Sequence, residues 1–165
     1  MFALNEKVVY PGYGVAKVNR VVNKCIGGQE SVFFELTFLH KEATVLVPTH
    51  NLEAAGIRPL SSGDNVKDAF RVLTEPARKI TPYEFTASNW NKRNKEYQLK
   101  LRRGSLRDLS EVYRDLRYIS SQKELSFGEK NLLNQTESLL VEEISLIQKR
   151  AHEKTVEELR TLSAR

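Results

Sequence analysis

The 165-residue chain has little of what usually marks a reactive site. It carries one cysteine, Cys25, one tryptophan, Trp90, and three histidines, His40, His50 and His152. A single cysteine excludes an internal disulfide framework and fits a reducing compartment. Lying between Lys24 and Ile26-Gly27, it reads as an incidental thiol. One cysteine and three widely separated histidines cannot complete a zinc site, so no metal is expected. A glycine-rich phosphate loop is also missing: Gly12-Tyr13-Gly14 falls between strands, not ahead of a helix, and reads as a turn. No apolar run approaches the roughly 18 residues that span a bilayer, and no charged leader precedes a long apolar run at Met1-Phe2-Ala3-Leu4. The expectation is a cytoplasmic protein with no membrane contact. The carboxylate pairs Glu142-Glu143 and Glu157-Glu158 fall on helix faces, where solvated charge is ordinary. Catalysis has little to work with, so neither an enzyme nor a cofactor is expected.

Charge is present, and unevenly so. The net charge is +5. Residues 1–60 carry 6 cations against 5 anions, and residues 118–165 carry 7 against 8. The middle, residues 78–117, carries 11 against 5 and holds the basic excess. A basic block between near-neutral flanks suggests a local polyanion contact, although solvated helix faces are also rich in Lys and Arg.

The two ends are written in different grammars. In the first 60 residues, Lys7-Val8-Val9-Tyr10 ends at Pro11-Gly12, and residues Val15 to Val22 alternate. Gly27-Gly28 supplies a turn tolerant of positive φ. Ser31 to Leu39 is rich in aromatics, and Ala43 to Val47 closes on Pro48. Four or five short strands so punctuated predict a small barrel or strongly bent sheet. After Asn51 the period becomes helical. Asp64 to Thr74 predicts a helix, and Pro76 and Pro82 mark residues 75–88 as a linker. Ser88 or Asn89 is placed to cap a helix that Gly104 ends. Ser105-Leu106-Arg107-Asp108 and Ser126-Phe127-Gly128-Glu129 start two more, each with an acidic residue three positions after a serine. From Lys149 the apolar stripe thins to Val156, Leu159 and Leu162, which either extend the last helix or fray. The fold class expected is α+β: a β module over residues 1–60 and a compact all-α module over residues 61–165.

Trp90 is the most informative residue. It stands in Ser88-Asn89-Trp90-Asn91-Lys92-Arg93-Asn94-Lys95, at the start of a helix and followed by three cations within five residues. That combination suits a helix end that grips phosphates while an apolar ring enters the minor groove and props base steps apart. A half-buried tryptophan with a solvated polar face is the alternative.

Five runs, in order, resemble the CarD family of bacterial RNA polymerase-binding transcription regulators, in its CdnL-type branch. They are Val8 to Ala16; Val45-Leu46-Val47-Pro48; Asn89-Trp90-Asn91-Lys92-Arg93; Val112-Tyr113-Arg114-Asp115-Leu116; and Leu125 to Lys130. The first module alone also resembles the polymerase-interaction domain of transcription-repair coupling factors, which lacks the helical partner. The resemblance implies an SH3/Tudor-like β-barrel that docks on the RNA polymerase β subunit by lining up a strand edge. Val45, Leu46 and Val47 would form that edge, with Lys24 adding a charge contact. This chain departs from the pattern at Leu46, where some relatives carry a basic residue.

The resemblance also implies that the helical module lies on promoter DNA at the upstream edge of the transcription bubble. Trp90 would be the wedge, and Lys92, Arg93, Lys95 and Lys130 the basic residues holding the backbone without reading sequence. The protein would act as a monomer that stabilises the promoter open complex. Two other classes stay open from the residues themselves. One is a protein-interaction adaptor in which the basic block merely solvates; the other is a general nucleic-acid binder.

Overall fold

The computed structural model of the protein describes residues 2–77 and 87–164, without the side chains of residues 87 and 88. The chain divides into two compact units, Met1–Leu60 and Ser61–Arg165.

The first unit is one antiparallel five-stranded sheet, the architecture expected of an SH3/Tudor-like module. Strands β1 (Lys7–Tyr10), β2 (Gly14–Ile26), β3 (Gln29–Phe38), β4 (Thr44–Pro48) and β5 (Arg58–Pro59) lie in the order β4-β3-β2-β1-β5. Gly27 and Gly28, at φ 60° and 80°, join β2 to β3 by a two-residue hairpin across the pair Ile26 and Gln29. Only residues that accept left-handed backbone permit so tight a turn with the right twist. The register slips between Val18 and Arg20, leaving Asn19 as the extra residue of a bulge. A bulge bends its strand and adds twist, and it re-aims the distal half of the long β2. Val8, Ala16, Val18, Phe34, Leu36, Phe38, Val47 and Ile57 form the core on one face. Beyond Pro48, a 3₁₀ turn and the single-turn α1 (Leu52–Ala55) lead into β5.

The second unit is all helix: α2 (Gly63–Thr74), α3 (Ala87–Arg103), α4 (Leu106–Gln122), α5 (Phe127–Gln148) and α6 (His152–Leu162). The Ser62 hydroxyl accepts from the Asn65 N–H to start α2, and Ser105 accepts from Asp108 to start α4. At α5 the box is reciprocal: Ser126 accepts from the Glu129 N–H, and the Glu129 carboxylate accepts from the Ser126 N–H at 3.0 Å. Gly104 ends α3 at φ 68° and donates to the Lys100 carbonyl. Helix α4 is central; Leu106, Leu109, Val112, Tyr113, Leu116 and Ile119 are buried in a single cluster with residues of α2, α3, α5 and α6.

Two expectations change. Ser88 and Asn89 do not cap α3, because the helix already includes Ala87. An N-cap needs non-helical backbone, which neither residue has. The linker expected over residues 75–88 lies largely outside the described residues. The tail neither frays nor extends α5. Lys149 takes left-handed backbone at φ 53°, the chain turns, and α6 packs with Thr155 and Leu159 fully buried. A buried bond of 2.7 Å from the Ser145 hydroxyl to Thr155 Oγ1 ties α6 to α5. Glu137 closes the bundle: it accepts from the Tyr113 hydroxyl at 2.7 Å and from Arg160 at 3.1 and 2.9 Å.

Candidate nucleic-acid interface

Trp90 lies in the first turn of α3, half-buried against the helical core. Three neighbours surround its ring. Tyr97, two turns on, stands at a centroid distance of 6.4 Å and a tilt of 54°. The Arg93 guanidinium lies 5.3 Å from the ring centroid. On α5, Gly128 offers no side chain; a Cβ there would sit 3.5 Å from Cζ2 and 3.6 Å from Nε1 of the indole. These are ordinary van der Waals distances, so the ring lies close to the first turn of α5. The tryptophan is therefore partly a packing residue and only partly exposed.

That contact brings two distant stretches of sequence together. Lys130, two residues past Gly128, is exposed, with Glu124 at 3.9 Å. Phe127, one residue before it, is 82% exposed, the most open large apolar side chain among the described residues. Lys92 and Lys95 are exposed as well. At about 100° per residue they stand on the side of α3 away from the row Trp90, Arg93, Tyr97. They share the helix with the ring but do not border it.

Arg93 does not join them. It is 3% exposed, with its charge turned inward toward Glu129 at 3.8 Å. The expectation of a phosphate-gripping arginine gives way to a buried one, because its place one turn from Trp90 puts it on the packing side of α3. Glu129 is 2% exposed. Burial pushes its carboxyl up, but bonds from Lys123 at 2.7 Å and from Ser126 outweigh this and hold it below the usual carboxylate range. It is anionic at neutral pH.

The basic block is also less free than its composition suggests. Lys100 pairs with Glu111 at 2.7 Å, Arg107 with Asp68 at 3.2 Å, and Arg114 with Glu75 at 3.7 Å. Lys92, Lys95, Arg102 and Arg103 are exposed without an ion pair among the described residues. No group of histidine, cysteine and carboxylate side chains among the described residues could hold a metal.

In the β unit, β4 is a terminal strand of the sheet and, among the described residues, pairs only with β3. Val45 and Leu46 are half-buried and Val47 is buried, so the edge is apolar and partly inward-facing. Leu46 stands opposite Glu35, which stands opposite Arg20. Arg20 grips Glu35 with two bonds, at 3.0 and 3.1 Å. Those bonds foremost, then Asn19 and the nearby charge of Lys24, hold the Glu35 carboxyl below its ordinary range. Lys24 pairs with Ser31, two rows beyond Leu46, on the same face of the sheet but past the last pair made by β4.

The protein thus joins a β unit with an apolar terminal strand to a helical unit that carries exposed lysines and a partly buried tryptophan. Comparisons with known proteins make the assignment specific. The family described as "CarD, C-terminal domain" matches residues 68–160, and that described as "CarD-like/TRCF RID domain" matches residues 2–61. The chain belongs to the CarD family and is of the CdnL type. It is 23% identical over 148 residues to the Bacillus subtilis (strain 168) protein named "Putative transcription factor YdeB", spanning 89% of this chain and 92% of the relative. The solution NMR structure of the 72-residue N-terminal domain of Myxococcus xanthus CarD is 32% identical; the match covers 36% of this chain and 79% of that one, with a TM-score of 0.32. The family is one of transcription factors rather than enzymes, and the protein has a transcription-associated role.

Phe127 was not among the residues that sequence pointed to at this face. Its signal was legible: an apolar side chain directly after a cap serine, off the stripe of Leu132, Leu139 and Leu140.

Proposed function

We propose that the protein docks on the RNA polymerase β subunit through the β4 edge and holds the promoter open complex by contacting DNA at the upstream edge of the bubble. The observation that carries this is the closeness of Trp90 to Gly128, which sets a partly exposed indole against the first turn of α5, the turn that carries the exposed Phe127 and Lys130, while Lys92 and Lys95 are exposed on the far side of α3. An apolar ring on a module with exposed cations matches how proteins enter a minor groove and unstack a step. Lysines on phosphates position the wedge without reading sequence.

Mechanism follows from linkage. A factor that binds the melted promoter better than the closed one shifts the balance toward melted. Aromatic–base contacts contribute roughly 1–3 kcal/mol each, and about 1.4 kcal/mol is tenfold. One wedge thus changes the open fraction strongly at an unstable promoter and little at one already open. Three lysines bind free duplex weakly; docking through Val45, Leu46 and Val47, with Lys24 on the same face, supplies the effective concentration. Such a factor works in the cytoplasm, as a monomer, where polymerase and promoter meet.

The test is the half-life of an open complex formed with cognate RNA polymerase, with and without the protein and with Trp90→Ala, whose folding is checked by circular dichroism. Lengthening by the wild type alone supports the wedge. If neither protein changes the half-life while polymerase is still recovered with both, the adaptor without a nucleic-acid role is the function.

A further inference from the structure

Arg93 is a charged side chain in a place where charge is costly. It is 3% exposed, and its Nε, Nη1 and Nη2 have no hydrogen-bond partner among the described residues. Its ion pair with Glu129, at 3.8 Å, is too long to be a hydrogen bond. A buried ion without such bonds carries a desolvation penalty that an apolar residue of equal volume avoids. Stability of the bundle therefore does not account for an arginine here.

Its surroundings give it another role. The guanidinium lies against the indole of Trp90 at 5.3 Å, a distance at which a cation is drawn to the face of a tryptophan. Behind the guanidinium is Glu129, fixed in its ionised form and in its rotamer by Lys123 and by the Ser126 backbone. Glu129 is also the residue that closes the cap of α5. The line Trp90, Arg93, Glu129 thus runs from the indole to the first turn of the helix that carries Phe127 and Lys130. Gly128 of the same turn lies close to the indole.

We infer that Arg93 is a positioning residue: pinned by Glu129, it holds the Trp90 ring in one orientation against α5, so that the ring meets DNA already set. This rests on the wedge role of Trp90 given above. Arg93 itself touches no phosphate; it acts through the ring. A wedge held in one orientation loses less conformational freedom on insertion than a free one, and binding strengthens by that difference.

The test exploits the sequence, since the protein has one tryptophan and its fluorescence reports Trp90 alone. In Arg93→Met, which keeps the packing volume and drops the charge, the ratio of held to released ring falls by about tenfold, the equivalent of about 1.4 kcal/mol. The readouts are faster quenching of Trp90 by acrylamide and lower steady-state anisotropy, with the helical circular dichroism unchanged. The open-complex half-life falls toward that of Trp90→Ala while polymerase binding is retained. Arg93→Lys, which keeps the charge but loses the flat group that stacks, falls between. Unchanged quenching and anisotropy in a folded Arg93→Met would overturn the inference. If neither variant folds, nuclear Overhauser contacts from the indole protons to the Arg93 side chain in the wild type decide: their presence upholds the inference and their absence overturns it. A variant that frees the ring where Trp90→Ala has no effect on the open complex would leave the positioning intact and remove the wedge reading instead.

Discussion

Phe127 offers the sharpest separation of stability from function, because the fold makes almost no use of its ring. At 82% exposed it packs on little, and replacing it with alanine changes folding stability by less than about 0.5 kcal/mol. A phenyl side chain presents on the order of 150 Å². If an open promoter covers half of that, about 75 Å² leaves water, which at about 25 cal/mol per Å² contributes about 2 kcal/mol. That is about thirtyfold in an equilibrium constant. Phe127→Ala should therefore melt within about 4 °C of the wild type, for a unit in which 1 kcal/mol moves Tm by about 4–8 °C. Its effect on the lifetime of an open complex at a weak promoter should shrink by an order of magnitude. The assay is competitor-challenged decay of the complex with cognate polymerase, run alongside thermal unfolding. A mutant that melts normally and stabilises the complex as well as the wild type would refute placing the α5 start on DNA. One that melts far lower would show instead that Phe127 packs in solution.

Three further outcomes are expected. With Arg93 buried, Lys92, Lys95 and Lys130 are left to neutralise phosphates, so log affinity against log salt should have a slope of about −2.7 rather than the −3.6 of four cations; a slope near the larger value would return Arg93 to the DNA surface. Leu159→Ala should destabilise the helical unit by about 2–5 kcal/mol, since Leu159 is fully buried, and a fall in Tm under about 3 °C would make α6 an appendage. In acid, Glu129 and Glu137 are both held below the ordinary carboxylate range; burial pushes each up, but Lys123 and Ser126 on the one, and Arg160 and the Tyr113 hydroxyl on the other, outweigh it. A depressed folded pKa adds stability above the unfolded value that is lost as pH falls through the folded one. Urea midpoints should therefore drop from about pH 4.5 downward, less steeply in Glu137→Gln, and an equal slope in that variant would assign the acid loss elsewhere.

Local chemistry was enough to determine the class of fold. Period-two runs between Pro11-Gly12, Gly27-Gly28 and Pro48 wrote the sheet, and serine caps with Asp108 and Glu129 three residues on wrote the starts of α4 and α5. These signals are legible because turns and caps depend on neighbours within four residues. Trp90 stood out for the same reason, as an aromatic set among cations. What lay beyond local sequence were the partners across helices. Nothing near Arg93 announces that Glu129, 36 positions on, faces it, nor that Gly128 lies close to the indole. Lys100, Arg107 and Arg114 counted toward a basic block until the fold set them against Glu111, Asp68 and Glu75. The thin stripe of the tail pointed to an extension of the last helix or to fraying, yet Leu159 needs only one buried face once Lys149 turns the chain back. Sequence by itself determined which residues could be buried, capped or charged at the surface. Which charges are neutralised, and which side of Trp90 stays open, only tertiary packing could decide, because both depend on groups brought within about 4–6 Å by contacts far apart in the chain.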